Sequence, residues 1–419
     1  MEKLYLGIEL DDAGCSLSWM NPETKVVQML SDHNGQSWIP AVLSFDREKS
    51  RWSVGSEAEA DRGKDGCIVF HRLVSLLRSG RTLEIDGVCY TAEDMMQQFL
   101  RLVLQDARNR TGINIIDSLV FCLEEVSAFD AEAIGRICAA QGIDPEEIHV
   151  FNRQECFMYY MMSQKREMWS NVSYLFDYSK KGLYCYELDV LKGFQPVTAR
   201  AGMEQIAGAP LAEQIQKGEG DAADRWFSSL AEKKMAGKIV SSVILCGDGF
   251  SDLSWARQFI KCIYSQKSRK VYQVEAVYGM GAAFAAYHIA DGHKRFPYRC
   301  ICEGRISITV SIFVDKGESS EQLVLAESGM NCYEARASVD LNVIEQKELK
   351  LFLKNTGAQE SYRLTLDLSA FMPDHRERTK IRLSIAFPKA DTMSVRVEDQ
   401  GFGEIYPSTN GVIEQSYEV

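Results

Sequence analysis

Three short stretches set charged residues or glycines where an apolar run gives way to a turn. The first is Glu9, Asp11 and Asp12, which close the apolar run 3–10 and precede Gly14. Carboxylates gathered at a strand end can hold a divalent ion, and they are also what an acidic, solvated turn looks like. The second is Asp177, followed by Ser179, Lys180, Lys181 and Gly182. Two lysines on a turn can meet an anion as point charges or stand as an exposed basic turn. The third is Gly247-Asp248-Gly249, directly after the apolar run 243–246. Glycines allow close backbone approach to a ligand, and they equally serve a plain strand-to-helix connection.

The surrounding pattern predicts the elements that must position these residues. Residues 3–10, 15–20, 25–30, 41–45 and 51–54 read as a meander of strands. Short helices are expected at 57–62 and 70–77, and a long one at 91–110. That helix has Thr91 and Asp94 as a cap and an apolar stripe of Met95, Phe99, Leu102, Val103 and Ala107. Strand 118–123, helix 130–141, strand 147–151 and helix 154–164 follow. Residues 173–177 open a second meander with 182–189 and 194–201. After it come helices at 211–216 and 221–235, strand 243–246, and helices at 253–264 and 278–288. The repeated order implies two related halves with a cleft between them. Beyond 295–297 the pattern changes to seven alternating runs, at 305–315, 321–326, 335–345, 349–354, 363–368, 381–387 and 393–399. That is an antiparallel sandwich.

Composition narrows the function classes. The 419 residues are 46% hydrophobic and 25% charged, with a net charge of −12, so the chain reads as globular. The acidic balance argues against a broad nucleic-acid or anionic-membrane surface. No targeting segment or membrane span is legible. The 12 cysteines are scattered without a CxxC pair, which suits reduced, buried thiols in a cytoplasmic protein. Trp19, Trp38, Trp52 and Trp255 are expected in the core.

Several of these segments resemble, in order, the actin-like ATPase superfamily, and most closely the DnaK-type heat-shock chaperones. Residues 4–16 resemble the first phosphate-binding hairpin, 38–45 the proline-containing strand, and 176–186 the second phosphate hairpin. Residues 243–250 resemble the adenosine turn, and 276–283 the small-residue helix that crosses between lobes. Residues 380–404 resemble the end of the chaperone peptide-binding sandwich. The resemblance implies an α/β two-lobed actin-like (duplicated ribonuclease H-like) domain followed by an all-β sandwich. The first lobe would span 1–171, a truncated second lobe 172–294, and the sandwich 298–419.

The same resemblance implies lost chemistry. Phosphate cradles need bare backbone, yet Asp11 and Asp12 stand where the family has Gly and Thr, and Glu9 replaces a metal-associated Asp. One like-charge pair at about 4 Å costs on the order of 4 kcal/mol at an effective dielectric of about 20. Asp177 matches the metal-linked Asp. His71 falls where the family has its catalytic Lys, and Arg153 where it has a water-orienting Glu, with Asn152 before it and Glu155 two residues on. The parts that position water and metal are altered together. The vestigial cleft would comprise Glu9, Asp11, Asp12, Asp177, Lys180, Lys181, Gly247, Asp248 and Gly249, with no catalytic or metal-holding residue. Only about 50 residues separate Leu191 from Ser242, too few for the subdomain that closes over adenine in the chaperones. The expectation is a non-hydrolysing, chaperone-like scaffold that binds protein or peptide through the sandwich, near 327–333 and 354–362. No cofactor, nucleic acid or membrane is expected to bind. The alternatives are an ATP- and Mg-binding protein with weak or no ATPase activity, and a small-molecule kinase.

Overall fold

The apolar run after Lys3 becomes β1 (Leu4–Leu10), and turn residues send it back as β2 (Gly14–Asn21) and on to β3 (Val26–Met29) and β4 (Trp38–Pro40). The computed structural model describes residues 3–419 except 32–34, 216–218, 267, 291–295, 317–318, 359 and 374–375. Residue 295, where the sequence pattern changes, therefore lies outside the described residues. The chain divides into two units, residues 1–298 and 299–419. The first is mixed α/β with several sheets, and the second is all β.

A small antiparallel sheet follows, of β5 (Leu43–Asp46), β6 (Arg51–Val54) and β7 (Cys67–Phe70), in the order β6-β5-β7. The short helix α1 (Gly55–Glu59) connects β6 to β7, and α2 (Leu73–Ser79) follows β7. The hairpin of β8 (Thr82–Ile85) and β9 (Val88–Thr91) turns on Asp86-Gly87, both at positive φ, as a tight hairpin turn requires. Helix α3 (Ala92–Thr111) starts from a Thr91/Asp94 capping box and stops at Gly112. Its buried stripe runs through Leu100 and Leu104, while Leu102 is only partly buried. Next come β10 (Ile116–Leu123), α4 (Ala128–Ala139), β11 (Ile148–Asn152) and α5 (Arg153–Met162). The first large sheet has the order β11-β10-β1-β2-β3, with β4 beside β2. β1 and β11 run parallel to β10, and β2 is antiparallel to β1.

The second large sheet repeats that plan. Its first five strands in chain order are β12 (Val172–Ser179), β13 (Gly182–Leu191) and β14 (Val197–Ile206), then β15 (Val240–Cys246) and β16 (Lys270–Gln273). The order β16-β15-β12-β13-β14 matches the first sheet strand for strand, with the same directions. Between β14 and β15 lie the three-residue α6 (Ala212–Gln214) and α7 (Gly220–Met235). Helix α8 (Arg257–Ile263) precedes β16 and α9 (Val277–Ala290) follows it. Asp224 of α7 accepts the Gln258 and Phe259 N–H groups, both at 2.8 Å, and so caps α8. Residue 216 of the expected 211–216 helix lies outside the described residues.

Helix α9 is buried almost all round. A Cβ on Gly7 of β1 would sit 2.2 Å from the Ala283 nitrogen, and one on Gly281 would sit 1.9 Å from the Cys156 carbonyl oxygen of α5. The small residues of the run 276–283 are thus required by backbone-to-backbone approach. Trp38 is 41% exposed, lying against Gly14 instead of entering the core.

β17 (Tyr298–Ile301) spans the division between units. The second unit then has two four-stranded antiparallel sheets. One, in the order β19-β18-β21-β22, uses β18 (Ile308–Lys316), β19 (Ser319–Ala326), β21 (Glu348–Asn355) and β22 (Glu360–Asp367). The other, in the order β20-β23-β24-β25, uses β20 (Ala337–Ile344), β23 (Arg378–Lys389), β24 (Thr392–Gly401) and β25 (Val412–Glu418). Alternate residues of both sheets, Val310, Leu351, Leu383 and Val395 among them, meet in one core.

Candidate functional site

Matching strand order brings matching strand ends together. Glu9 of β1 lies opposite Cys122 of β10, and Asp177 of β12 lies opposite Cys246 of β15, so the two carboxyls occupy equivalent positions in the two sheets. Between them stands Arg153, the first residue of α5. Asn152 fixes it there by capping that helix with Glu155: the Glu155 N–H donates to Asn152 Oδ1 at 2.9 Å, and the Asn152 N–H to Glu155 Oε2 at 3.0 Å.

The Arg153 guanidinium lies 3.5 Å from Glu9, 3.8 Å from Asp177, 3.8 Å from Glu124 and 4.0 Å from Asp11. It also sits over the Tyr278 ring, 4.9 Å from the centroid. The Tyr278 hydroxyl donates to Asp177 at 2.7 Å. Lys181 closes the open side, at 2.9 Å from Asp11 and 2.6 Å from Glu124. Arg153, Glu9 and Asp11 are 12–13% exposed, whereas Lys181 is 42% exposed.

Burial sets the protonation of these groups unevenly. It lifts Glu9 to about 7, against the pull of Arg153. It also raises Asp177, again opposed by Arg153 and by the Tyr278 hydroxyl. Asp11 feels the same desolvation but ends below its ordinary value. Lys181 and the Ala13 and Gly14 N–H groups together outweigh burial there.

The first hairpin turn satisfies itself. The Ala13 and Gly14 N–H groups donate to Asp11 Oδ1 at 2.8 and 3.0 Å. Asp12 turns away from the cluster. It accepts the Ser75 N–H at 2.8 Å and the Ser75 hydroxyl, and lies 3.5 Å from Arg72, so it anchors α2. Lys180 is exposed on the second turn. His71 contacts Glu59 at 3.7 Å.

Gly247 has φ +92°, and a Cβ there would lie 2.8 Å from Asp177 Oδ1 and 2.3 Å from the Tyr178 carbonyl oxygen. A Cβ on Gly249 would strike the Tyr178 ring at 2.4 Å. Below this turn, Tyr178, Phe227, Phe250 and Trp255 fill the space with an aromatic cluster. Asp248 is exposed. The structure thus joins Glu9, Asp11, Asp177 and Lys181, sets Gly247 against Asp177, and leaves Asp12, Lys180 and Asp248 outside. Glu124 and Tyr278 are members that sequence reasoning did not single out. Among the described residues, no group of three or more His, Cys, Asp or Glu side chains is arranged to hold a metal ion. No helix among them is long and apolar enough to cross a membrane.

Residues 25–303 match the family model described as "Family of unknown function (DUF5716) C-terminal". The chain belongs to that family. A second model, "Domain of unknown function (DUF8552)", matches residues 305–419. No curated protein matches the chain. The DUF5716 match contains Arg153, Asp177, Lys181 and Tyr278 but begins after β1 and β2, so Glu9 and Asp11 lie outside it.

The second unit offers a different surface. Of the expected binding loops, 327–333 is largely folded inward, with Ser328, Asn331 and Cys332 all under 5% exposed. Apolar exposure lies instead on the strands. Phe313 of β18 is 52% exposed and Val324 of β19 is 51% exposed, and Phe313 packs edge-on against Phe352 of β21 at 4.9 Å.

Proposed function

We propose that this DUF5716-family chain is a non-hydrolysing, chaperone-like scaffold. Its first unit keeps a duplicated, actin-like nucleotide-domain plan without the nucleotide, and its second unit binds protein or peptide. One observation carries the reading. The Asp11 carboxylate takes the backbone N–H groups of its own turn and the Lys181 ammonium, the donors that would otherwise receive a phosphate. A triphosphate entering here would have to displace that carboxylate and then face Glu9, Asp177 and Glu124. These residues do not fit magnesium-bound ATP, and no step of phosphoryl transfer is assigned to them.

The exposed Phe313 and Val324 on the β18–β19 face support a protein-binding role for the second unit, because apolar side chains grouped on one face favour contact with another chain. Two measurements on the full chain test the whole reading. Titration with Mg-ATP should give no heat and leave the melting temperature unchanged. A native pull-down should return a protein partner, and exchange of Phe313 and Val324 for serine should release it. Saturable, magnesium-dependent ATP binding would replace this reading with that of a nucleotide-binding protein.

A further inference from the structure

Glu9 and Asp177 share Arg153, but their carboxyls are served unequally. Asp177 accepts the Tyr278 hydroxyl, and Asp11 accepts two backbone N–H groups and Lys181. Glu9 has the guanidinium at 3.5 Å and, among the described residues, no hydrogen-bond donor. Its cross-strand neighbour Ser16 is 3% exposed, and its hydroxyl also has no partner among the described residues. Around Arg153 and Lys181, two cations meet four carboxylates: Glu9, Asp11, Glu124 and Asp177. A buried excess of carboxylates is resolved most cheaply by keeping a proton on the member with the fewest donors.

We propose that Glu9 is a proton switch between the two large sheets: as a neutral acid it lets the ends of β1 and β12 lie together around Arg153, and its ionisation drives them apart. The groups that face it are consistent with this role. Asp11 on its own strand and Asp177 on β12 oppose its charge, while Arg153 on α5 and Lys181 on the β12–β13 turn favour it. Cys15 on β2, Cys156 on α5 and Cys246 on β15 are buried thiols pushed upward by desolvation, with Glu9 adding to the effect. They therefore stay neutral beside it. Cys122 lies across the pair on β10. Tyr186 on β13 and Tyr278 on α9 are raised, chiefly by desolvation, and also stay neutral.

The direction of the effect follows from linkage. An ordinary glutamate releases its proton near 4.5, whereas Glu9 holds it to about 7. Across that interval the folded chain binds more protons than the unfolded chain, so stability falls as pH rises and levels off above it. The raised Asp177 acts in the same sense, and the lowered Asp11 acts only below this window. The switch is independent of what the second unit binds.

The test is hydrogen exchange of the full chain at about pH 6 and about pH 8.5, corrected for the intrinsic rates. Amides 8–14 and 176–182 should exchange several-fold faster at the higher pH in the wild type, and should not differ between the two in Glu9→Gln. Infrared difference spectra of wild type carrying carbon-13 glutamate give a readout that needs no variant. A protonated glutamic acid carbonyl band should disappear over the same pH step. A missing band, unchanged wild-type exchange, or a pH effect that survives in Glu9→Gln would each overturn the proposal.

Discussion

Arg153 in the first unit and Arg376 in the second are both guanidiniums set among buried carboxylates, yet their partners end in opposite states. Arg376 holds Asp399 through two bonds, at 3.1 and 3.3 Å, and both side chains are at most 4% exposed. Asp399 also accepts the Thr379 hydroxyl, the Gly401 N–H, and both the N–H and the hydroxyl of Thr409. Burial pushes its carboxyl up, but these donors outweigh burial and hold it down at about 2. Glu9, with one cation at 3.5 Å and no hydrogen-bond donor among the described residues, goes the other way. The difference teaches that burial alone does not set the charge of an interior acid; the number of hydrogens directed at it decides.

Removing the cation should separate the two sites. Arg376→Ala leaves Asp399 buried and charged and should cost roughly 3–5 kcal/mol, read as loss of the second unit's transition in chemical denaturation. Arg153→Ala should cost less, about 1–3 kcal/mol in the same assay, because Glu9 can escape by keeping its proton. The smallest effect is expected for Lys181→Ala. Its ammonium is 42% exposed, so the loss should stay under about 1 kcal/mol and vanish at high salt. Equal losses for the two arginines would erase the comparison.

Much of the fold was legible because periodicity is local. The strands 3–10, 118–123 and 243–246 and the Thr91 cap all rest on neighbouring residues. The β8–β9 hairpin was missed although Asp86-Gly87 is a hairpin signal, because its strands are only four residues each. β25 was missed because its exposed pattern carries little apolar contrast. The site was half legible. Glu9, Asp11, Asp177 and Lys181 stood out at their strand ends, but Asp12 points to Ser75 of α2, a contact 63 residues away that no spacing rule reaches. Arg153 was read as a lost glutamate. Its role as the shared counter-ion emerges only when equivalent strand ends of the two sheets are set face to face.

Helix α9 meets β1 at Gly7 and α5 at Gly281 with no room for a single carbon on either side. A slide of one turn along its axis would bring Val277 or Ala285, four residues away on the same face, against the Cys156 carbonyl. Axial shear of this helix against β1 and α5 is therefore opposed at both contact points.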